Sequence, residues 1–118
     1  MTYKTTTSKL GRLSVQRLRA RRARLVKQLP DVELTLYGSL QTQGRRCGKQ
    51  GCSCVEGQLH GPYVYLAVRG SQGGRLVYVT AQLVEDVTRR VEVTRRIEAA
   101  LAEISAINLE LLARGELS

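Results

Sequence analysis

The chain has 118 residues, with 19 Lys and Arg against 10 Asp and Glu, and it contains neither Phe nor Trp. A length near the common domain size leaves no room for a second independent core, so a single domain over residues 1–118 with an aliphatic core is expected. The net charge of +9 is unevenly spread: residues 1–30 hold nine basic residues and no acid, residues 31–80 five basic and three acidic, and residues 81–118 five basic and seven acidic.

A one-sided basic arm points to a polyanion, most simply nucleic acid. No run approaches the roughly 20 apolar residues of a membrane span. No apolar run follows the first charges either, so no secretory signal is read. An Arg-rich, acid-free start also has the composition of a mitochondrial presequence, but its helical pattern reads as part of the fold. A cytoplasmic setting is expected, at the nucleoid if the partner is DNA. In such a reducing compartment, clustered cysteines favour metal over disulfide.

In chain order, residues 1–13 read as a flexible lead. Ser14 is the predicted N-cap of a basic helix over residues 14–29, with Val15, Leu18, Leu25 and Leu29 on one face and Arg22 interrupting that stripe. Pro30 stops it. Val32, Leu34 and Leu36 alternate and predict a short strand, broken at Gly38 and Ser39. Residues 40–46 read as a polar edge strand. Residues 47–62 hold four glycines and a proline and read as loop. YVYLAVR (63–69) and RLVYVT (75–80) are strands joined by GSQGG, a β-hairpin. Thr80 is the predicted cap of a helix from residue 81. Residues 81–113 contain neither Gly nor Pro, and at 1.5 Å per residue they would span roughly 50 Å. Its apolar stripe is predicted at Leu83, Val87, Val91, Ile97, Leu101, Ile104 and Leu111, with Thr94 and Asn108 in polar slots. That helix should pack on the hairpin first, and then on residues 14–29 or on a second copy of itself.

All three cysteines and the one histidine fall in CGKQGCSCVEGQLHGPY, residues 47–63. Cys47, Cys52, Cys54 and His60 form a Cys3His set, suited to a closed, structural, tetrahedral zinc site. The nearby Gly48, Gly51 and Gly57 let the chain wrap an ion, and Arg45, Arg46 and Lys49 offset its negative charge. Such a site contributes about 10–16 kcal/mol of apparent folding free energy, a decisive amount for a small aliphatic core. The spacing lacks paired C-x2-C knuckles. The competing readings are reduced, packed thiols with His60 as a loop hydrogen bonder, or a redox pair at Cys52 and Cys54.

The helical arginines carry the second signal. Arg17, Arg19, Arg21, Arg22, Arg24 and Lys27 place cations nearly all round a helix. Six or seven phosphate contacts on B-DNA would give a log–log salt slope of about −5 to −6. The competing reading pairs these arginines with Glu92, Glu98, Glu103 and Glu110. Arg45, Arg46, Lys49, Arg69 and Arg75 add cations around the hairpin, whose Tyr63 and Tyr65 would enter a groove or stack on bases, or simply cover one side of the sheet. No nucleophile motif, phosphate-cradling loop or paired carboxylates are found, so a non-enzymatic protein is expected.

GSL at 38–40, CGKQGCSC at 47–54, HGPYVYL at 60–66 and YVT at 78–80, followed by a long charged helix, resemble an uncharacterised prokaryotic family known only as a domain of unknown function. Its core is C-G-K-x-x-C-x-C-x5-H-G-P-Y, and its final helix ends in N-x-E-L, matched by Asn108, Glu110 and Leu111. The likeness covers roughly residues 36–112 and departs at Thr80, where proline is usual. It implies that Cys47, Cys52, Cys54 and His60 act as one unit, and it implies no activity.

The expectation is therefore an α+β chain: a basic helix (14–29), a three-stranded antiparallel sheet with a zinc-stapled loop (36–80), and a long helix (81–114). The expected role is a small DNA-binding accessory or regulatory protein, dimeric through the long helix. A protein–protein adaptor using that helix and an RNA-binding component of a ribonucleoprotein are the alternatives.

Overall fold

The structure, a computed structural model, describes residues 9–45, 60–70 and 74–118; the side chains of residues 45, 60 and 61 lie outside that description. Helix α1 (Val15–Lys27) is followed by strands β1 (Gly38–Arg45), β2 (His60–Val68) and β3 (Arg75–Val79) and by helix α2 (Val84–Ala113). The strands form one antiparallel sheet in the order β1-β2-β3. This is the expected α+β class. The chain divides into two compact units, one drawn from Met1–Glu33 with Arg95–Ser118, the other Leu34–Thr94.

In the first unit, Ser14 caps α1 as expected, its hydroxyl accepting from the Arg17 amide at 3.2 Å. Leu18 is fully buried with Ala106, Ile107 and Leu111 of α2, and Val15 and Leu25 pack on the same cluster. The helix that α2 meets in its second half is thus α1 of the same chain. Leu10, at the end of the stretch read from sequence as a lead, is only 1% exposed and belongs to this core. Gly115, at φ +70°, closes α2 in a Schellman motif. The Glu116 amide donates to the Leu111 carbonyl at 2.8 Å and the Gly115 amide to that of Leu112 at 3.0 Å.

The second unit buries Leu66, Val79 and Val91, with Leu36, Leu40, Val64, Val68, Val84 and Val87 around them. Alternation along β2 sends Val64, Leu66 and Val68 to this core and Tyr63, Tyr65 and Ala67 to the other face. Thr94, 3% exposed, fills its polar slot productively. Its hydroxyl donates to the Arg90 carbonyl at 2.8 Å and accepts from the Leu36 amide at 2.7 Å.

Four local expectations change. Val32–Leu34 is a 3-10 turn rather than a strand, and the Leu36 amide bonds to Thr94 instead of a ladder. β1 begins at Gly38, where the sequence suggested a break. β2 begins at His60 rather than Tyr63, and Arg45 pairs with His60 across a register shift after Gln43. Pro62, which has no N–H to donate, sits in that irregular stretch, before the β3 pairing starts at Val64. Thr80 precedes a 3-10 turn, Ala81–Leu83, without a side-chain cap bond, and the α-helix starts only at Val84.

The α2 stripe also differs. Val91, Ile97 and Leu111 are buried as expected, but Leu83, in the 3-10 turn ahead of the helix, and Leu101 are exposed, while Ala106 and Ile107 lie in the core. Apolar residues lie on more than one side of α2 between 97 and 112, so periodicity alone does not select the buried side.

Gly38 has φ +154°, and a Cβ there would lie 2.5 Å from the Ala67 carbonyl oxygen. Gly38→Ala is expected to destabilise the fold by about 1–3 kcal/mol or more, from a strained backbone alone, read as a lower urea midpoint.

Candidate nucleic-acid interface

The arginines of α1 divide by what they touch. Arg19 donates through Nε to the Ser118 carbonyl at 2.9 Å and through Nη2 to the Glu116 carbonyl and carboxylate at 3.1 and 3.2 Å. Arg21 forms an ion pair with Glu103, its Nε 2.7 Å from Oε1. Arg22, the residue that interrupts the apolar stripe of α1, donates to Asn108 Oδ1 at 2.7 Å. Asn108 is itself a polar interruption on α2, so two irregularities in the sequence pattern satisfy each other. These three side chains are thus engaged inside their own unit, as the competing reading had it for Arg21 and Glu103.

Arg17, Arg24 and Lys27 are exposed, and among the described residues they have no ion-pair partner. With Arg21, residues 17 and 24 stand at i, i+4 and i+7 on one side of α1. They border a shallow depression with Leu13 and Ala20. Arg12 is exposed just before the cap. The solvent-facing basic ridge is therefore narrower than the sequence count suggests.

In the second unit, the Arg69 guanidinium lies 4.8 Å from the centroid of the Tyr37 ring. Arg75 opens β3, exposed, in register with Val68. Tyr78 meets Tyr65 and Tyr63 edge to face, with centroids 5.7 and 6.3 Å apart. The side chain of Arg45 is outside the described set, as are Arg46 and Lys49 entirely. On α2, a hydrogen bond from Arg89 holds the Asp86 carboxyl below its ordinary range; desolvation opposes this and Arg90 assists it.

Of the expected metal ligands, Cys47, Cys52 and Cys54 lie outside the described residues, and His60 is described by its backbone alone. The ladder sets Arg45 opposite His60, so the segment carrying the cysteines leaves β1 and enters β2 at paired positions. Among the described residues no helix is long and apolar enough to cross a membrane.

Two residues with clear roles were not singled out from sequence. Arg114 donates to the Leu13, Leu10 and Gly11 carbonyls at 2.7, 3.3 and 3.2 Å and to Glu110 at 2.9 Å. It satisfies the open carbonyl end of the turn before α1. Its sequence signal, a basic residue just past a helix end, does not name a partner about a hundred residues away. The sequence does not assign Tyr78 to the tyrosine cluster, because its face depends on the hairpin register.

A family model described as a domain of unknown function (DUF6788) matches residues 15–89, more than half the chain. The chain belongs to the DUF6788 family. Its matched region takes in α1, the sheet and the start of α2. It thus reaches further towards the amino terminus than the likeness read from the Cys/His motif, and it stops short of the N-x-E-L ending. No curated protein and no solved structure matches the chain.

The division among the α1 cations predicts a division among variants. Arg22→Ala should cost about 1–3 kcal/mol, since it leaves the Asn108 carbonyl oxygen short of a charged donor. Arg17→Ala, Arg24→Ala and Lys27→Ala should each stay within about 0.5 kcal/mol of the parent. Urea denaturation followed by circular dichroism checks both.

Proposed function

We propose that this DUF6788 protein is a small, non-enzymatic nucleic-acid-binding accessory or regulatory protein that grips the phosphates of duplex DNA through α1. The observation that carries this reading is the exposed row Arg17, Arg24 and Lys27, on an amino-terminal arm that holds the whole positive surplus. A narrow cationic ridge on a helix suits phosphate contact, which supplies affinity without base readout. Arg12 adjoins the ridge, and Arg45, Arg46, Lys49, Arg69 and Arg75 add charge from the sheet unit. Arg19, Arg21 and Arg22 hold α1 in place in this reading. The setting is a prokaryotic cytoplasm, at the nucleoid.

Binding to random duplex should weaken with salt. Replacing Arg17, Arg24 and Lys27 together by Ala should flatten the log–log slope by about 2.7, at about 0.9 per phosphate. Fluorescence anisotropy across a salt series checks this. Indifference to duplex at low salt would sink the reading.

The same proposal assigns structural zinc to Cys47, Cys52, Cys54 and His60. The donor chemistry supports it, and so does the pairing of Arg45 with His60, which holds the ends of that segment together. Dimerisation falls to α2. Leu101, Leu109 and Leu112 stand exposed in a row with Leu117, and Leu109 is 59% exposed. The rival adaptor reading would use that same row for another protein. Native mass spectrometry tests both assignments: a dimer with one zinc per chain is expected, and a folded sample at bare monomer mass overturns them. Cys52→Ser should then unfold the sheet unit, seen as loss of strand signal.

A further inference from the structure

The outer face of the sheet concentrates the protein's scarcest side chains. The chain has five tyrosines and no other large aromatic residue, and the buried clusters of both units are aliphatic. Tyr63, Tyr65 and Tyr78 nevertheless share one face, in edge-to-face contact. Tyr78 is 53% exposed on the edge strand β3, and Leu76 beside it is similarly open. Gln43 is opposite Tyr63 and Gln41 opposite Tyr65 in the β1–β2 register. Alternation therefore puts both amides on this face.

We propose that this face is a stacking platform for the unpaired bases of a single strand. The inference rests on the reading of the chain as a nucleic-acid-binding protein and adds a second contact of different chemistry. Aromatic rings on an open sheet offer π-faces to any base, and stacking needs no particular sequence. The two glutamines supply donors and acceptors for base edges. The charge of the face suits an anionic occupant better than a cationic one. The outer-face positions of the three strands, residues 39, 41, 43, 63, 65, 67, 76 and 78, carry no acid. Arg69 stacks on Tyr37 at one end of the same face. A duplex hides its base faces within the stack, so it offers this platform little. A single strand exposes them, with phosphates to meet the basic chain.

The absence of Trp makes tyrosine emission a direct probe. The full chain is titrated at fixed salt with an oligothymidylate, an oligouridylate and a duplex of equal length. Both single strands are expected to quench the emission, and duplex is not. Anisotropy on labelled oligonucleotides then compares variants. Tyr65→Leu and Tyr78→Leu should each lower single-strand affinity about 5- to 150-fold, equivalent to about 1–3 kcal/mol per lost stack, with duplex affinity unchanged. Tyr78→Phe should retain binding. If Tyr65→Leu fails to fold by circular dichroism, Tyr78→Thr, at an exposed edge position suited to a β-branched residue, carries the test alone.

Salt-sensitive duplex binding with no quenching by either single strand overturns the platform and leaves the α1 reading standing. Equal single-strand affinity of Tyr78→Thr and the parent does the same, as does self-association through this face that Tyr78→Leu abolishes while oligonucleotide affinity is unmoved. Failure to bind duplex or either single strand overturns both. Quenching by only one of the two oligonucleotides upholds the platform and identifies it as DNA- or RNA-selective.

Discussion

Burial against helix α2 is the condition on which both units rest. Phe and Trp are absent, so neither cluster has a large ring to close it, and each must draw aliphatic surface from a shared element. Val84, Val87 and Val91 complete the sheet's inner face, while Ala106, Ile107 and Leu111 complete the face of α1. Polar residues at buried or half-buried positions then choose the register. Thr94 takes the Leu36 amide, Asn108 takes Arg22, and Arg114 takes three carbonyls ahead of α1. Each of these groups would be costly to bury alone, so a shifted register would strand several at once.

The same logic divides the charge. Acids are scarce, and those of the last segment are met by arginines from two directions. Glu103 and Glu116 face α1 through Arg21 and Arg19, while Glu110 is taken by Arg114 just past the end of its own helix. Such exposed or half-exposed pairs contribute modestly to stability. Their larger consequence is to sort the cations of α1 into those that orient the helix and those left facing solvent. A helix with cations nearly all round would present a diffuse field. A helix with half of them tied inward presents a ridge.

Two surfaces of unlike chemistry follow, a cationic side of α1 in one unit and an aromatic, acid-free sheet face in the other. They suit different parts of a nucleic acid, the phosphates and the bases. By connectivity, the Cys/His segment joins β1 to β2.

Much of this was legible in the chain itself. Ser14 and Pro30 marked helix ends because caps and breakers act locally. Strand β2 announced itself by alternation, and a stretch of more than thirty residues without Gly or Pro read as helix. The basic arm and the Cys/His cluster were visible as composition. Tertiary structure decided what depends on partners distant in sequence. It turned Val32–Leu34 into a 3-10 turn because the Leu36 amide found Thr94. It exposed Leu101 and buried Ile107 because α2 is apolar on more than one side and α1 covers only one of them. It set Tyr78 beside Tyr63 and Tyr65 through the hairpin register. It separated Arg17, Arg24 and Lys27 from Arg19, Arg21 and Arg22, six helix cations whose partners composition does not reveal. Local sequence dictates where elements begin and end, because caps, turns and periodicity are short-range; which side of each element meets water is a property of the packed chain.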